Sequence, residues 1–284
     1  MTTAFVLGGG GVLGAVEVGM LRALLERGIA PDLVLGTSVG ALNGALLAYD
    51  PGPGVVDRLT ALWGSVAASG APGGEVYGDR RLRTLRRALS TGTHLYSAAP
   101  LRQRLESEIG DVCFEDLPVR LEVCAASIER AAEHWFTRGP VVPAVLASAA
   151  VPGLLPPAEV DGQHYLDGGI VNSIPLGRAV ELGATRVFVL QVGRVDRPLS
   201  VPQRPWEVAR VAFEIARRHR FARELALVEV AGPDVECHVL PARGTSARDD
   251  SLTAFRDTSG VTRRIDATYA ASRDYLAEHD VGPA

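Results

Sequence analysis

Residues 4–49 read AFVLGGGGVLGAVEVGMLRALLERGIAPDLVLGTSVGALNGALLAY. A short apolar run meets four glycines, which is typical of a buried strand that ends in a tight turn. Apolar residues at helical spacing follow and stop at Gly28, and a second apolar run ends at Gly36 before another helical stretch. This order of strand, turn and helix, repeated once, predicts a parallel sheet with helices on its faces.

The rest of the chain continues this α/β pattern. Further core strands are predicted at residues 120–127 and 186–192, a helix and then a loop at 142–157, and long helices at 206–228 and 261–279. The run Arg217-Arg218-His219-Arg220 within one of these helices is interpreted as a solvated face. The chain contains no internal repeat, low-complexity tract or clear linker, so we interpret residues 1–284 as a single domain. Its core block covers about residues 4–192, and about residues 200–280 complete it.

The composition argues against several function classes. The net charge is −4 and the pI is about 5.9, so no basic field is available to hold nucleic acid. Three cysteines without a CxxC pair argue against a disulfide framework or a zinc site. The sequence carries neither a signal-peptide pattern nor an uninterrupted apolar stretch of the ~18–20 residues that a membrane span needs. We therefore expect a cytoplasmic protein that needs no metal, organic cofactor or nucleic acid.

Ser38 lies in a GxSxG pattern, Gly36-Thr37-Ser38-Val39-Gly40, between a predicted strand and a predicted helix. A serine nucleophile needs a sharp strand-to-helix turn, and the flanking glycines leave room for that turn. The helix that follows points the positive end of its dipole at the serine oxygen. An ordinary strand-to-helix turn fits the same pattern, so this motif alone leaves both interpretations open.

Glycines also dominate the first turn, Gly9-Gly10-Gly11-Val12-Leu13-Gly14. A dinucleotide-binding turn has the same strand, glycine and helix order, but it requires an acidic residue at the end of the next strand. That strand ends in the GxSxG pattern instead, and Asp32 lies at its other end. Backbone N–H groups of the turn fit an oxyanion hole beside the serine better. A close-packed turn without chemistry stays open as the alternative.

Asp167 opens a third motif, Asp167-Gly168-Gly169, which on its own is typical of a plain turn. Glycine turn, GxSxG and Asp-Gly-Gly in this order resemble the patatin-like phospholipases. The stretch from Gly139 to Gly153, together with the Asn172 and Pro175 that follow Asp-Gly-Gly, resembles the central block of that family. The resemblance runs over most of residues 4–192.

The resemblance implies a three-layer α/β/α patatin-like fold with a mostly parallel central sheet and a Ser-Asp dyad without a catalytic histidine. Carried onto this chain, the nucleophile is Ser38 and the base is Asp167. The oxyanion donors are backbone amides of Gly9, Gly10, Gly11 and Val12. The glycines that support the three motifs are Gly14, Gly36, Gly40, Gly168 and Gly169.

The expected activity is hydrolysis of a lipid acyl ester, of the phospholipase A, lysophospholipase or carboxylesterase type. An acyltransferase using the same dyad, and a catalytically silent lipid-binding or regulatory protein, stay open as alternatives. A serine esterase with a Ser-His-Asp triad would need one of the six histidines. His164 is nearest to Asp167 in sequence and is the one to test.

Two further features bear on the substrate. The family's glycine motif carries Arg or Lys where this chain has Leu13, which predicts a preference for short or neutral esters over anionic phospholipids. Residues 79–89 carry five arginines beside leucines, and such a helix can lie on an anionic membrane surface. Peripheral contact with a membrane is therefore expected, with a core-packed helix that has a solvated face as the alternative.

Overall fold

The computed structural model describes residues 1–68, 93–94, 96–193, 198–203, 205–231, 234–243 and 258–283. The predicted arginine-rich helix at residues 79–89 lies outside these ranges. Within them, eight strands form one sheet: β1 (Thr3–Leu7), β2 (Leu33–Thr37), β3 (Arg120–Ser127), β4 (Ala132–Phe136), β5 (Ala158–Val160), β6 (Gln163–Asp167), β7 (Arg186–Leu190) and β8 (Glu236–Val239).

Eight α-helices accompany the sheet in the described ranges. They are α1 (Ala15–Glu26), α2 (Val39–Tyr49), α3 (Gly54–Ala68), α4 (Ala99–Ile109), α5 (Val141–Ser148), α6 (Leu176–Glu181), α7 (Pro205–Ala231) and α8 (Thr258–Glu278). Every strand and helix predicted from residues 4–49 is present, as are the predicted strands β3 and β7 and the predicted helices α5, α7 and α8. None of the described helices is long and apolar enough to cross a membrane.

The central strands carry apolar side chains on both faces, and helices cover each face. In β1, Phe5 and Leu7 belong to a large apolar cluster with residues of α1, α2, α3, α4, α5 and α8. The alternate residues Ala4 and Val6 belong to a second cluster with residues of α6 and α7. Because successive side chains of a strand point to opposite faces, these two clusters lie on opposite sides of the sheet. The predicted three-layer α/β/α architecture is confirmed.

The sheet is mostly parallel. β3, β2, β1, β7 and β8 pair side by side as parallel strands in that order. The antiparallel strands β4, β5 and β6 were not predicted from sequence, because each contains exposed and partly buried positions, whereas β1, β2 and β7 are buried throughout. A run that is not consistently apolar lacks the signal of a buried strand.

The edges of β3 determine where the end of β6 lies. β4 and β6 both pair with residues 125–127 of β3, so they occupy opposite edges of that strand. β2 and β4 both pair with residues 123–124, so β2 also lies opposite β4. β2 and β6 therefore share one edge of β3 and meet end to end. Their last residues, Thr37 and Asp167, lie beside consecutive residues of β3.

Candidate active site

Ser38 forms the turn between β2 and α2. Its backbone has φ 56° and ψ −121°, a left-handed conformation that a residue with a Cβ adopts only where the surrounding structure imposes it. The Ser38 N–H donates a 2.7 Å hydrogen bond to Ser148 Oγ, and that hydroxyl donates in turn to the carbonyl of Cys124. Helix α5 and strand β3 thus hold the turn through Ser148.

The two glycines that flank Ser38 are required for steric reasons. A Cβ at Gly36 would lie 2.6 Å from Cα of Ala41, and a Cβ at Gly40 would overlap the carbonyl of Leu7. Glycine at both positions lets α2 pack directly against the ends of β1 and β2. Ser38 itself is the N-cap residue of α2, so its side chain stands at the positive end of the helix dipole.

Asp167 lies within hydrogen-bond reach of Ser38. The hydroxyl of Ser38 donates to Asp167 Oδ2 over 2.6 Å, and the N–H of Gly169 donates to Asp167 Oδ1 over 2.7 Å. Asp167 is 1% exposed and Ser38 is 6% exposed. The two side chains meet because β2 and β6 end against the same edge of β3.

Burial changes the acidity of Asp167. Desolvation raises the pKa of this carboxyl from 3.8 to about 6, although the hydrogen bonds from Ser38 and Gly169 oppose the rise by stabilising the carboxylate. A carboxyl group with this pKa is still mostly ionised at neutral pH, and it is a stronger base than an exposed aspartate.

Glycines also shape the loop that carries Asp167. A Cβ at Gly168 would overlap the carbonyl of Cys124, and a Cβ at Gly169 would lie 2.5 Å from Cζ of Phe213. The Asp-Gly-Gly turn therefore fits between β3 and α7 only without side chains.

The glycine turn after β1 passes beside Ser38. A Cβ at Gly9 would lie 3.3 Å from Cβ of Ser38, so the backbone of the turn approaches the serine closely. A Cβ at Gly10 would collide with Val192, and a Cβ at Gly14 would collide with Trp63 and Val39. Glycine at these positions again permits close packing.

The hydrogen bonds of this turn exclude one of the expected oxyanion donors. The N–H of Gly9 donates to the carbonyl of Ser173 over 2.8 Å. Because this N–H is already engaged, it is not available as an oxyanion donor. Among the described residues, no acceptor engages the N–H groups of Gly10 or Gly11. Gly10 and Gly11 therefore stay predicted oxyanion donors.

Comparison with known proteins identifies the family of the chain. Residues 5–180 match the family model described as patatin-like phospholipase. The chain belongs to the patatin-like phospholipase family. It is 34% identical over 197 residues to a patatin-like phospholipase domain-containing protein of Caenorhabditis elegans, a match that covers 67% of this chain and 14% of the worm protein.

Two other relatives carry names that state an activity. The neuropathy target esterase sws of Drosophila melanogaster is 31% identical, with 67% of this chain and 13% of that protein covered. A lysophospholipase of Aspergillus terreus is 29% identical, with 69% and 12% covered. The chain thus spans about an eighth of the length of these relatives. VipD of Legionella pneumophila is a weaker structural match, with a TM-score of 0.49 at 14% identity over 98% of this chain and 67% of that chain.

In the part of the chain that it describes, the structure places no histidine where it could act as the base for Ser38. None of the six histidines, all of which lie in the described ranges, hydrogen-bonds to Ser38 or Asp167. His164 is exposed, and its ring pairs with Glu129 at 2.7 Å. It lies three residues before Asp167 on β6, an odd separation that directs its side chain to the opposite face of the strand.

Leu13, where the chain departs from the family's glycine motif, is 8% exposed and belongs to the large apolar cluster. An arginine at this position would have to bring its charge into that cluster, at a high desolvation cost. Because its side chain is buried, Leu13 gives no structural support to the predicted preference for short or neutral esters. Leu13 instead completes the core beneath the glycine turn.

Arg217 of α7 contacts the site, although nothing in the sequence indicated this role. It was interpreted as part of a solvated face, but it is 4% exposed and its guanidinium donates to the carbonyls of Gly9 and Val192. A run of arginines gives no indication of which member is buried. The only available signal was helical spacing, which places Arg217 one turn before the buried Phe221.

Proposed function

We propose that this protein hydrolyses acyl esters of lipids, with Ser38 as nucleophile and Asp167 as its base. The observation that carries the proposal is the 2.6 Å hydrogen bond from Ser38 Oγ to a buried carboxylate, at a strained strand-to-helix turn. Membership of the patatin-like phospholipase family supports a lipid ester as the substrate class, as do relatives named esterase and lysophospholipase. Peripheral membrane contact and a cytoplasmic location stay predictions.

The first step forms an acyl-enzyme. Ser38 Oγ attacks the ester carbonyl carbon while its proton moves to Asp167 Oδ2. The carbonyl oxygen becomes an oxyanion and accepts hydrogen bonds from the N–H groups of Gly10 and Gly11. When the tetrahedral intermediate collapses, the bond to the leaving alcohol breaks, and that alcohol takes the proton from Asp167.

The second step releases the fatty acid. Water enters in place of the alcohol and gives a proton to Asp167 while its oxygen attacks the acyl carbon. A second oxyanion forms on the same amides and collapses, breaking the bond to Ser38 Oγ. The proton on Asp167 returns to Ser38, which restores the starting state. An acyltransferase would differ only in using a second alcohol or thiol instead of water.

The raised pKa of Asp167 predicts the pH profile. Only the ionised carboxylate can accept the serine proton, so kcat/KM should fall about tenfold for each pH unit below about pH 6, where Asp167 becomes protonated. The measurement is initial-rate hydrolysis of an uncharged soluble ester between pH 4.5 and 8.5, with circular dichroism at each pH. A folded enzyme whose kcat/KM is unchanged down to pH 5 would contradict the assignment of Asp167 as base.

The test of the proposed function separates a hydrolase from its alternatives. Mass spectrometry after treatment with a fluorophosphonate should show one adduct per chain, on Ser38. Product analysis on a panel of lysophospholipids, diacyl phospholipids and neutral esters, with and without an added alcohol, should then show release of free fatty acid. Transfer of the acyl group to the added alcohol as the main product would favour an acyltransferase. The absence of both an adduct and turnover would overturn the proposal and favour a catalytically silent lipid-binding or regulatory protein.

A further inference from the structure

Arg217 connects helix α7 to the glycine turn. Its Nη1 donates to the carbonyl of Gly9 over 3.2 Å and to the carbonyl of Val192 over 3.0 Å. Its Nη2 donates to Glu214 Oε2, one turn earlier on the same helix, over 3.2 Å. A Cβ at Gly193 would lie 2.7 Å from Nη2, so the guanidinium fits against the backbone that follows β7.

The contact with the Gly9 carbonyl has a consequence for Gly10. The carbonyl oxygen of Gly9 and the N–H of Gly10 belong to one peptide unit, which is planar and trans. The two groups of a trans peptide point in opposite directions, so fixing the oxygen also fixes the direction of the N–H. A guanidinium on the oxygen further polarises the amide and makes its N–H a better donor.

The same helix face also supports the loop that carries the base. Phe213, four residues before Arg217, lies over Gly169, whose N–H hydrogen-bonds to Asp167. Arg220, three residues after Arg217, donates from Nη1 to the carbonyl of Val171 over 2.8 Å. Helix α7 therefore contacts both the glycine turn, which passes beside Ser38, and the loop that carries Asp167.

We infer that Arg217 is a positioning residue, which acts through the Gly9–Gly10 peptide to direct the Gly10 N–H at the oxyanion. The inference rests on the proposed dyad and oxyanion hole. Arg217 touches no reacting atom, and its effect should therefore be on kcat rather than on substrate binding.

Arg217→Met tests the inference, since methionine keeps the apolar stem and loses the donors. With a neutral ester, we expect kcat and the rate of fluorophosphonate labelling each to fall about tenfold to a hundredfold, because a misdirected oxyanion donor is partly lost. KM should stay within about twofold. The matched control is Arg218→Met, which also removes an ion pair to Glu214 at 3.1 Å. This variant keeps the hydrogen bond from Arg217 to the carbonyl of Gly9. It should keep kcat within about twofold of wild type.

Arg217→Lys covers the case in which the methionine variant does not fold. Lysine keeps a cationic donor but lacks the planar fork, so we expect kcat to fall about threefold to tenfold at unchanged KM. The thermal unfolding midpoint shows whether each variant is folded. If either folded variant has the same kcat and the same labelling rate as wild type, the inference is overturned. If wild type labels, Ser38→Ala does not and the Arg217 variants label normally, the proposed function stands and only this inference fails. If wild type does not label, both fail.

Discussion

Ser38→Ala is expected to reduce kcat/KM for ester hydrolysis by at least ~10³-fold and to abolish fluorophosphonate labelling. The proposed mechanism has no second nucleophile, because the glycine turn contributes only backbone amides and the nearby Ser148 hydroxyl is engaged with the carbonyl of Cys124. Alanine occupies the same backbone position and removes one hydroxyl, so the fold should persist. The measurement is kcat/KM on a neutral ester, with a thermal unfolding curve for each variant.

The matched control for this variant is Ser107→Ala. Ser107 is an exposed serine of α4 whose hydroxyl donates to the carbonyl of Arg104, far in sequence from the three motifs. It should label and turn over as wild type does. Activity of Ser38→Ala within about tenfold of wild type, a loss of only ~1.4 kcal/mol of transition-state stabilisation, would remove Ser38 as nucleophile.

Asp167→Asn is expected to lower kcat by at least ~10³-fold while KM changes little. The amide matches the carboxylate in shape and can still accept the hydrogen bond from Gly169, but it cannot take a proton from Ser38. The control is His164→Ala, which removes an exposed imidazole on the same strand and should keep kcat within about twofold of wild type. A large loss of kcat in His164→Ala, together with only a small loss in Asp167→Asn, would contradict the Ser-Asp dyad and indicate a histidine as base.

The same substitution should make the protein more stable. Because the pKa of Asp167 is about 6 in the folded protein and 3.8 is its ordinary value, the folded state binds more protons than the unfolded state between these pH values. Stability therefore falls as the pH rises through this window, and the ionised carboxylate costs on the order of 3 kcal/mol above it. We expect Asp167→Asn to raise the free energy of unfolding by ~1–3 kcal/mol at pH 8, with a gain that shrinks toward pH 4.

Chemical denaturation of both proteins at pH 4, 6 and 8 measures this gain. A variant that is less stable than wild type at pH 8 would show that the hydrogen bonds of the carboxylate outweigh its desolvation. A stabilised but inactive variant would show that the buried charge is kept for function at the expense of stability.

The sequence by itself determined the layers of the fold and singled out Ser38 as the candidate nucleophile. Residues 4–49 alternate buried strands with largely buried helices, so local patterns and global fold agree there. Gly36 and Gly40 were predictable because a sharp turn beside packed strands excludes a Cβ wherever it occurs. Ser38 follows from those glycines and from its place between β2 and α2.

Only the tertiary structure decided what surrounds Ser38. Asp167 is 129 residues away in sequence and reaches it because β2 and β6 share an edge of β3, a pairing that no local pattern encodes. The engaged N–H of Gly9 and the buried guanidinium of Arg217 likewise depend on partners that are distant in the chain, Ser173 and the glycine turn. Periodicity shows which residues are apolar enough to be buried, but hydrogen-bond partners and pKa values depend on which segments meet. For this reason the sequence, through its resemblance to the family, predicted Ser38 and Asp167 as candidates, and the fold set the geometry between them.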